Sequence, residues 1–410
     1  MNYVIIGNSI ASVGCIESIR KIDQEGTITV IGDESHQCYS RPLISYLLEG
    51  KTTKEKMVYR SPLFYEQNKV RLVLGKKATS LDTKKKLVIL EDDLQYPYDK
   101  LLVATGSCPF VPPMKNLEHV KNRFTFMTLD DANSLEKAIS KDSRVLIIGA
   151  GLIGLKCAEG ILDRVKSITV VDLAKRVLPS ILDEEGSSLV EKHLKKRGIT
   201  CILGDSVAEF QDTDALLKSG TVVGFDVLVL AVGVRPNISL VKEAAGATNR
   251  AILVDEQCKT SLEDVYAAGD CTEGFDLVSG EKRVLAILPN AYMQGEIAGR
   301  NMAGELASFD KAMAMNAIGF FGLHIITAGA YVGDDTVIRT ETGYKRLFVQ
   351  NGCLVGCILI GDMIDRAGIY TSLIRNKTDL STIDFALISE KPLLMAFAKK
   401  ERKEKLGAAQ

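Results

Sequence analysis

Two rhythms of apolar and polar positions alternate along the chain. Residues 3–6 are an unbroken apolar run and 27–31 an apolar run interrupted only by threonine, and between them, to about residue 22, apolar positions recur at helical spacing. The same order returns at 144–148, a helical stretch to about 164, and 167–171. Unbroken runs of strand length mark strands covered on both faces, and their alternation with a 3.6-residue period marks parallel βαβ units. Each unit has a turn of small residues after its first run and an acid after its second, Asp33 in one and Asp172 in the other. Two such units predict an α/β protein with two Rossmann-like dinucleotide-binding domains.

Further strand-sized runs occupy 100–104, 199–203, 226–232 and 264–268. The last portion changes rhythm. Residues 343–349 and 354–360 alternate, Gln350-Asn351-Gly352 forms a hairpin turn between them, and 367–375 reads as a helix. This predicts a separate C-terminal α+β domain from about residue 311. The charged stretch from Lys399 to Lys405 reads as a solvated helix end, with docking of an acidic partner as the alternative.

Composition narrows the classes. A chain of 410 residues exceeds what one core serves, so two or three domains are expected. With 51 basic against 52 acidic side chains, it lacks the basic surplus of a general nucleic-acid binder. Its apolar runs fall well short of the roughly 20 residues a spanning helix needs, so no membrane segment is expected. Met1-Asn2 leads directly into an apolar run without a signal-like segment, and the expected location is the cytoplasm. Nine cysteines without a C-x-x-C spacing suit a reducing compartment, where they serve as small buried hydrophobes.

The turns carry the chemistry. In Gly149-Ala150-Gly151-Leu152-Ile153-Gly154, the three glycines suit a tight turn, close approach of a pyrophosphate, and helix–strand packing. The pyrophosphate would sit on a helix N-terminus, where free N–H groups favour anions. Asp172 is placed to accept from ribose hydroxyls and to repel a 2′-phosphate, which favours NADH over NADPH. Lys175 and Arg176 follow closely and would either soften that preference or belong to a solvated loop. The first turn, Gly7-Asn8-Ser9-Ile10-Ala11-Ser12, has serine at the second and third glycine positions. Their hydroxyls would face the phosphates or the packing seam. Asp33 or Glu34 is the candidate ribose partner; capping of the following loop is the plainer role for both.

Three further motifs form an ordered set with these turns: Tyr98 to Gly106 (YDKLLVATG), Ala231 to Asn237 (AVGVRPN) and Val265 to Cys271 (VYAAGDC). Together they resemble the pyridine-nucleotide-disulfide oxidoreductase family of FAD- and NAD(P)H-dependent flavoproteins, over nearly the whole chain. The resemblance implies a glutathione-reductase-type fold. FAD would occupy a split domain, 1–110 and 234–310, NAD an inserted domain, 111–233, and 311–410 would be an interface domain. It also implies that Gly7, Ser9, Ser12 and Asp33 or Glu34 face the ADP half of FAD. Thr105 and Gly106 would lie near FAD at the crossover, Gly233 on the nicotinamide side, and Gly269-Asp270 at the ribityl–phosphate region. A helix beginning near Asn290 would aim its N-terminus at the flavin pyrimidine, where negative charge develops on reduction.

The branch within the family follows from what is missing. No cysteine pair has the spacing of the redox-active disulfide branch. Cys353 and Cys357 are four apart at the predicted hairpin and read as structural. The single-cysteine position of the peroxidase and oxidase branch falls on Pro42, which has no thiolate, and Cys38 reads as packing. The segment Tyr39-Ser40-Arg41-Pro42-Leu43-Ile44-Ser45 resembles instead the reductases of iron proteins, which implies that Arg41 binds the FAD pyrophosphate. Many such relatives have lysine where this chain has Tyr46, and glutamate where it has Lys156. No His, Cys, Asp or Glu cluster has metal-ligand spacing, and no side chain is assigned as acid, base or nucleophile. The resemblance thus implies transfer of hydride from NADH to FAD and of single electrons to rubredoxin or a ferredoxin. The alternatives are a ferredoxin–NAD oxidoreductase subunit beside an iron–sulfur enzyme and a nitrite-reductase-associated flavin subunit. Of another class is a redox-responsive interaction protein of the apoptosis-inducing-factor type.

Overall fold

The computed structural model describes residues 1–397 and, beyond them, Glu404. The charged stretch from Lys399 to Lys405, with its docking alternative, otherwise lies outside the described residues. Two compact units emerge. One comprises Met1–Leu178, Leu194–Phe275 and Lys282–Ala312; the other comprises Pro179–His193, Asp276–Glu281 and the chain from Met313.

The first unit holds two five-stranded parallel sheets. In one, the order is Val265–Ala267, Lys100–Val103, Asn2–Ile6, Thr27–Gly32, Val70–Leu74. The unbroken apolar runs follow from burial on both faces. Ile5, Val30 and Leu102 pack with Ile16 and Ile19 of helix Ile10–Ile22 on one side. Val4, Ile31, Leu101 and Val103 pack against Val88 and Leu90 on the other. Each fully buried side chain of this kind stabilises the fold by about 1.5–3 kcal/mol. The second sheet runs Thr200–Leu203, Ser167–Asp172, Arg144–Ile148, Val227–Leu230, Arg123–Phe124.

In each sheet the strand order reverses beside the first strand, between Asn2–Ile6 and Lys100–Val103 and between Arg144–Ile148 and Val227–Leu230. Such reversals open crevices at the carboxyl ends of strands, where ligands bind. An antiparallel ribbon of Ser107–Pro109 with Val234–Pro236 joins the two halves. Two three-stranded antiparallel sheets, which the hydrophobic pattern does not announce, flank them.

Helix Leu288–Met302 begins two residues before Asn290 and crosses helix Ile10–Ile22 at backbone contact. A Cβ on Gly295 would lie 1.9 Å from the Ala11 carbonyl oxygen, and one on Gly299 2.5 Å from that of Cys15.

The second unit is built on an antiparallel sheet ordered Met315–Phe320, Leu323–Gly329, Cys353–Ile360, Tyr344–Gln350, Asp334–Arg339. The expected hairpin and helix are present. Asn351 and Gly352 both have positive φ, the signature of a two-residue hairpin turn, and the helix is Ala367–Arg375. Gln350 belongs to the strand rather than the turn. Cys353 and Cys357 lie on one strand, about 13 Å apart at strand rise, far beyond disulfide reach. Lys345, almost fully buried, donates to the carbonyls of Ser389 (2.8 Å) and Glu390 (3.0 Å) at the end of helix Phe385–Glu390. Among the described residues no helix is long and apolar enough to cross a membrane, and no cluster could hold a metal ion.

Candidate functional site

At the strand reversal of the first sheet lies a cavity of about 370 Å3. The turn after Asn2–Ile6 forms its floor. Gly7 has φ +107°, and a Cβ there would stand 2.1 Å from the Ala104 carbonyl oxygen, so the turn requires glycine. Ser9 is the N-cap of helix Ile10–Ile22 and lines the cavity with Asn8 and Ile10. Leu288 and Ala291 line it from the start of helix Leu288–Met302. The crossing of these helices at Gly295 and Gly299 therefore presents two helix N-termini to one cavity, a setting that favours anionic groups.

Charged and polar side chains complete the wall. Asp33, Glu34 and Arg41 line it from the segment after Thr27–Gly32, and Thr105, Gly106, Gly269 and Asp270 from the opposite side. Thr105 and Asn237 are strapped together. The Thr105 hydroxyl donates to the Asn237 carbonyl at 2.8 Å, and the Asn237 amide returns to the Thr105 carbonyl at 2.9 Å. The Ser107 hydroxyl donates to Asp270 at 3.1 Å. Burial pushes the Asp270 carboxyl above its ordinary value, although Ser107 and the Arg41 charge pull it down.

Two expected residues do not face this cavity. Ser12 is fully buried, and its hydroxyl donates to the Gly7 carbonyl at 2.5 Å. Of its two expected settings it takes the packing seam, because the side chain points back into the turn. Asn290 is buried in the first turn of its helix and does not line the wall. Residues not singled out from sequence also line it: Asn8, Ser107, Cys108, Met127 and Leu288. Of these, Asn8 lies within the first glycine turn and Ser107-Cys108 directly follows the Ala-Thr-Gly motif, whereas Met127 and Leu288 carried no sequence signal.

The second turn sits at the other reversal. Gly149 has φ +116°, and an added Cβ would stand 2.2 Å from the Ala231 carbonyl oxygen. A Cβ on Gly154 would meet the Gly149 carbonyl oxygen at 2.0 Å, whereas one on Gly151 would enter open space. Asp172 ends its strand with one oxygen accepting the Ala150 N–H at 2.6 Å and the other the Ala174 N–H at 2.7 Å. Gly233 opens the return ribbon, its carbonyl accepting from the Phe110 N–H. Tyr46 and Lys156 meet: the ammonium lies 4.4 Å from the ring centroid and pairs with Glu159.

None of the nine cysteines forms a disulfide. Burial pushes Cys38 up to about 12, Cys271 to about 11 and Cys357 to about 12, so none of these is a thiolate near neutral pH. Cys108 is exposed at the cavity and free.

Two dinucleotide folds, one with a large anion-favouring cavity and the other with a glycine turn and a clamped acid, define the class: a protein built to hold two dinucleotides. The chain belongs to the pyridine nucleotide-disulphide oxidoreductase family, whose model matches residues 1–295. Residues 315–378 match the rubredoxin NAD+ reductase C-terminal domain. The NADH-dependent phenylglyoxylate dehydrogenase subunit epsilon of Aromatoleum evansii is 31% identical over 395 residues, 93% of each chain. The NADH-rubredoxin oxidoreductase of Clostridium acetobutylicum is 28% identical over 302 residues, 74% of this chain and 75% of that protein. The fold matches that of the covalent putidaredoxin reductase–putidaredoxin complex with a TM-score of 0.88, at 23% identity over 100% of this chain and 98% of that one.

Proposed function

We propose that this chain takes hydride from NADH onto FAD and delivers electrons singly to a small iron protein, rubredoxin or a ferredoxin. The observation that carries the reading is the first cavity, with two helix N-termini, Arg41 and the carboxylates of Asp33, Glu34 and Asp270 around one space, in a chain whose cysteines form no disulfide. The residues present fit FAD. The backbone amides at Ser9 and Ile10, with Arg41, would hold its pyrophosphate, and Asp33 its ribose. Asp270 would accept from the ribityl chain, and the start of helix Leu288–Met302 would favour charge on the pyrimidine edge. FAD supplies the hydride acceptance and single-electron release.

In the inserted segment 111–233, the amides after Gly149 and Gly151 would hold the NADH pyrophosphate, Asp172 the adenosine ribose, and Gly233 would flank the nicotinamide. Residues 1–110 and 234–310 would form the FAD domain and 311–410 an interface domain. The iron-protein acceptor is supported by the match to the rubredoxin reductase C-terminal domain and by the C. acetobutylicum relative. A second reading, the NADH-linked subunit of a larger dehydrogenase, is favoured by the epsilon subunit, whose whole length this chain nearly spans. Nine cysteines without a disulfide suit a reducing location such as the cytoplasm.

An anaerobic titration tests the reading. The protein, incubated with FAD and desalted, should keep one FAD per chain, and NADH should bleach its visible absorbance. A chain that stays colourless overturns the proposal.

A further inference from the structure

Arg41 does not stand alone at the cavity. Its guanidinium pairs with one oxygen of Glu34. The other Glu34 oxygen accepts the Tyr39 hydroxyl at 2.6 Å. The same Tyr39 oxygen accepts the backbone N–H of Leu129 at 2.8 Å, 90 residues away. Leu129 is the first residue of helix Leu129–Ala138, so its amide is one of the N–H groups that a helix leaves without an internal partner. Thr128 and Asp131 form a capping box that serves other amides of that turn and leaves this one to Tyr39. Arg41 also donates to the Met127 carbonyl at 3.4 Å, and its guanidinium lies 5.7 Å from the Tyr39 ring centroid.

We propose that Tyr39 is the positioning residue for Arg41, and that through it the arginine's place at the cavity is tied to the docking of helix Leu129–Ala138. The claim rests on the reading of the cavity as the FAD site. Three features carry it. Tyr39 is buried at 7% exposure, so loss of a partner by its hydroxyl is costly. The hydrogen bonds form one continuous path: Arg41 donates to Glu34, Glu34 accepts the Tyr39 hydroxyl, and the Tyr39 oxygen accepts the Leu129 N–H. Burial, aided by Glu34, raises the phenol's pKa and keeps it a proton donor to that carboxylate.

A division of labour between the adjacent acids follows. Glu34 has an oxygen committed to Arg41 and the other to Tyr39, so it serves as the arginine's tether. Asp33 is exposed at the cavity and would be the acid that faces the ribose hydroxyls. An anion at Arg41 would fix the guanidinium, the guanidinium Glu34, and Glu34 the phenol on which the helix start rests. Occupancy of the cavity would thereby firm up the entry to the inserted segment. A second tie, His36 to Asp130 at 2.9 Å, links the same two stretches at the surface.

The test compares wild type, Tyr39→Phe, Arg41→Ala and the double variant, with Glu34→Gln as an independent second break. Phenylalanine keeps the ring against Arg41 and removes only the hydroxyl. FAD affinity is read by titrating the FAD-free protein, NADH affinity on the loaded protein, and amide exchange across residues 127–131 in both states. Tyr39→Phe should weaken FAD roughly three- to ten-fold, leave NADH affinity within two-fold, and speed exchange across 127–131. In the Arg41→Ala background it should weaken FAD no further, because its effect passes through the arginine. FAD should slow that exchange in wild type and not in Tyr39→Phe. Unchanged FAD affinity in both Tyr39→Phe and Glu34→Gln, or an equal loss with and without Arg41, would overturn the proposal while leaving FAD binding intact. Absence of FAD binding by the wild type would overturn the cavity reading itself.

Discussion

The two glycine turns of the first unit solve one steric problem in two ways. At the second turn the third position must be bare: a Cβ on Gly154 would stand 2.0 Å from the Gly149 carbonyl oxygen. At the first turn the matching position is Ser12, whose hydroxyl donates to the Gly7 carbonyl at 2.5 Å. A hydrogen bond replaces close packing, and the turn tolerates a side chain. The first position allows no such exchange. Gly7 and Gly149 both have positive φ, and an added Cβ would run into the backbone of the neighbouring strand end in either case. The difference teaches which part of the motif is backbone geometry and which is negotiable packing.

The largest effects should come from the shared position. Gly7→Ala and Gly149→Ala each combine a left-handed backbone with a clash against backbone, and each should destabilise its half by about 3 kcal/mol or more. Gly7→Ala should lose FAD, and Gly149→Ala should lose NADH binding, as read by flavin absorbance and NADH titration. Either variant with wild-type binding would mean that the turn has slack that the geometry denies.

Gly151→Ala sharpens the comparison, because its Cβ meets open space and its φ is ordinary. Thermal stability should hold within about 0.5 kcal/mol, while NADH binding weakens about ten-fold as the methyl enters the pyrophosphate's path. A stability loss with intact binding would reverse the assignment. Beside that turn, Asp172→Ala should cut the NADH-over-NADPH ratio of kcat/KM at least about ten-fold, since the acid opposes a 2′-phosphate. An unchanged ratio would show that Lys175 or Arg176, rather than Asp172, decides the choice.

The negotiable position should give a modest effect. Ser12→Ala removes one buried hydrogen bond and leaves the Gly7 carbonyl without it, costing about 1 kcal/mol in thermal or denaturant unfolding. No loss would indicate that the hydroxyl is incidental to the turn. The smallest effect concerns Asp270. Its carboxyl is raised in the fold, so the folded FAD-free protein holds this proton more tightly than the unfolded chain. The resulting stabilisation is present below the ordinary carboxylate value of about 4 and is lost as pH rises through the raised one. The stability of wild type relative to Asp270→Asn, both without FAD, should therefore fall as pH is raised from about 4 toward 7. A flat difference would contradict the burial.

The parallel sheets were legible because both faces are covered, which forces unbroken apolar runs, and the turns because small residues break those runs at fixed places. Helix Ala367–Arg375 and the Asn351-Gly352 turn were equally plain. The flanking antiparallel sheets were not. Strands such as Ala78–Asp82 and Asp214–Leu217 are short and partly exposed, and they lack a clean alternation. Nor did spacing reveal that Pro179–His193 packs with the second unit. There Asp183 accepts the Tyr344 hydroxyl at 2.5 Å and pairs with Arg346 at 2.8 Å. Such pairings join residues more than 150 apart and leave no periodic trace. The cavity-facing acids were visible, but the separate tasks proposed for Asp33 and Glu34 depend on Tyr39 meeting Leu129, which no local pattern encodes.

Electron exit from the flavin to a small iron protein is the central claim, and rapid mixing tests it most directly. Anaerobically NADH-reduced protein would be mixed with rubredoxin, a ferredoxin, hydrogen peroxide or air-saturated buffer, and flavin reoxidation followed in wild type and in a variant lacking all nine cysteines. An iron protein should reoxidise the flavin faster than peroxide or oxygen, at a rate that falls with added salt and survives loss of the cysteines. Faster reoxidation by oxygen or peroxide than by either iron protein, or loss of transfer with the thiols while FAD is retained, would contradict it.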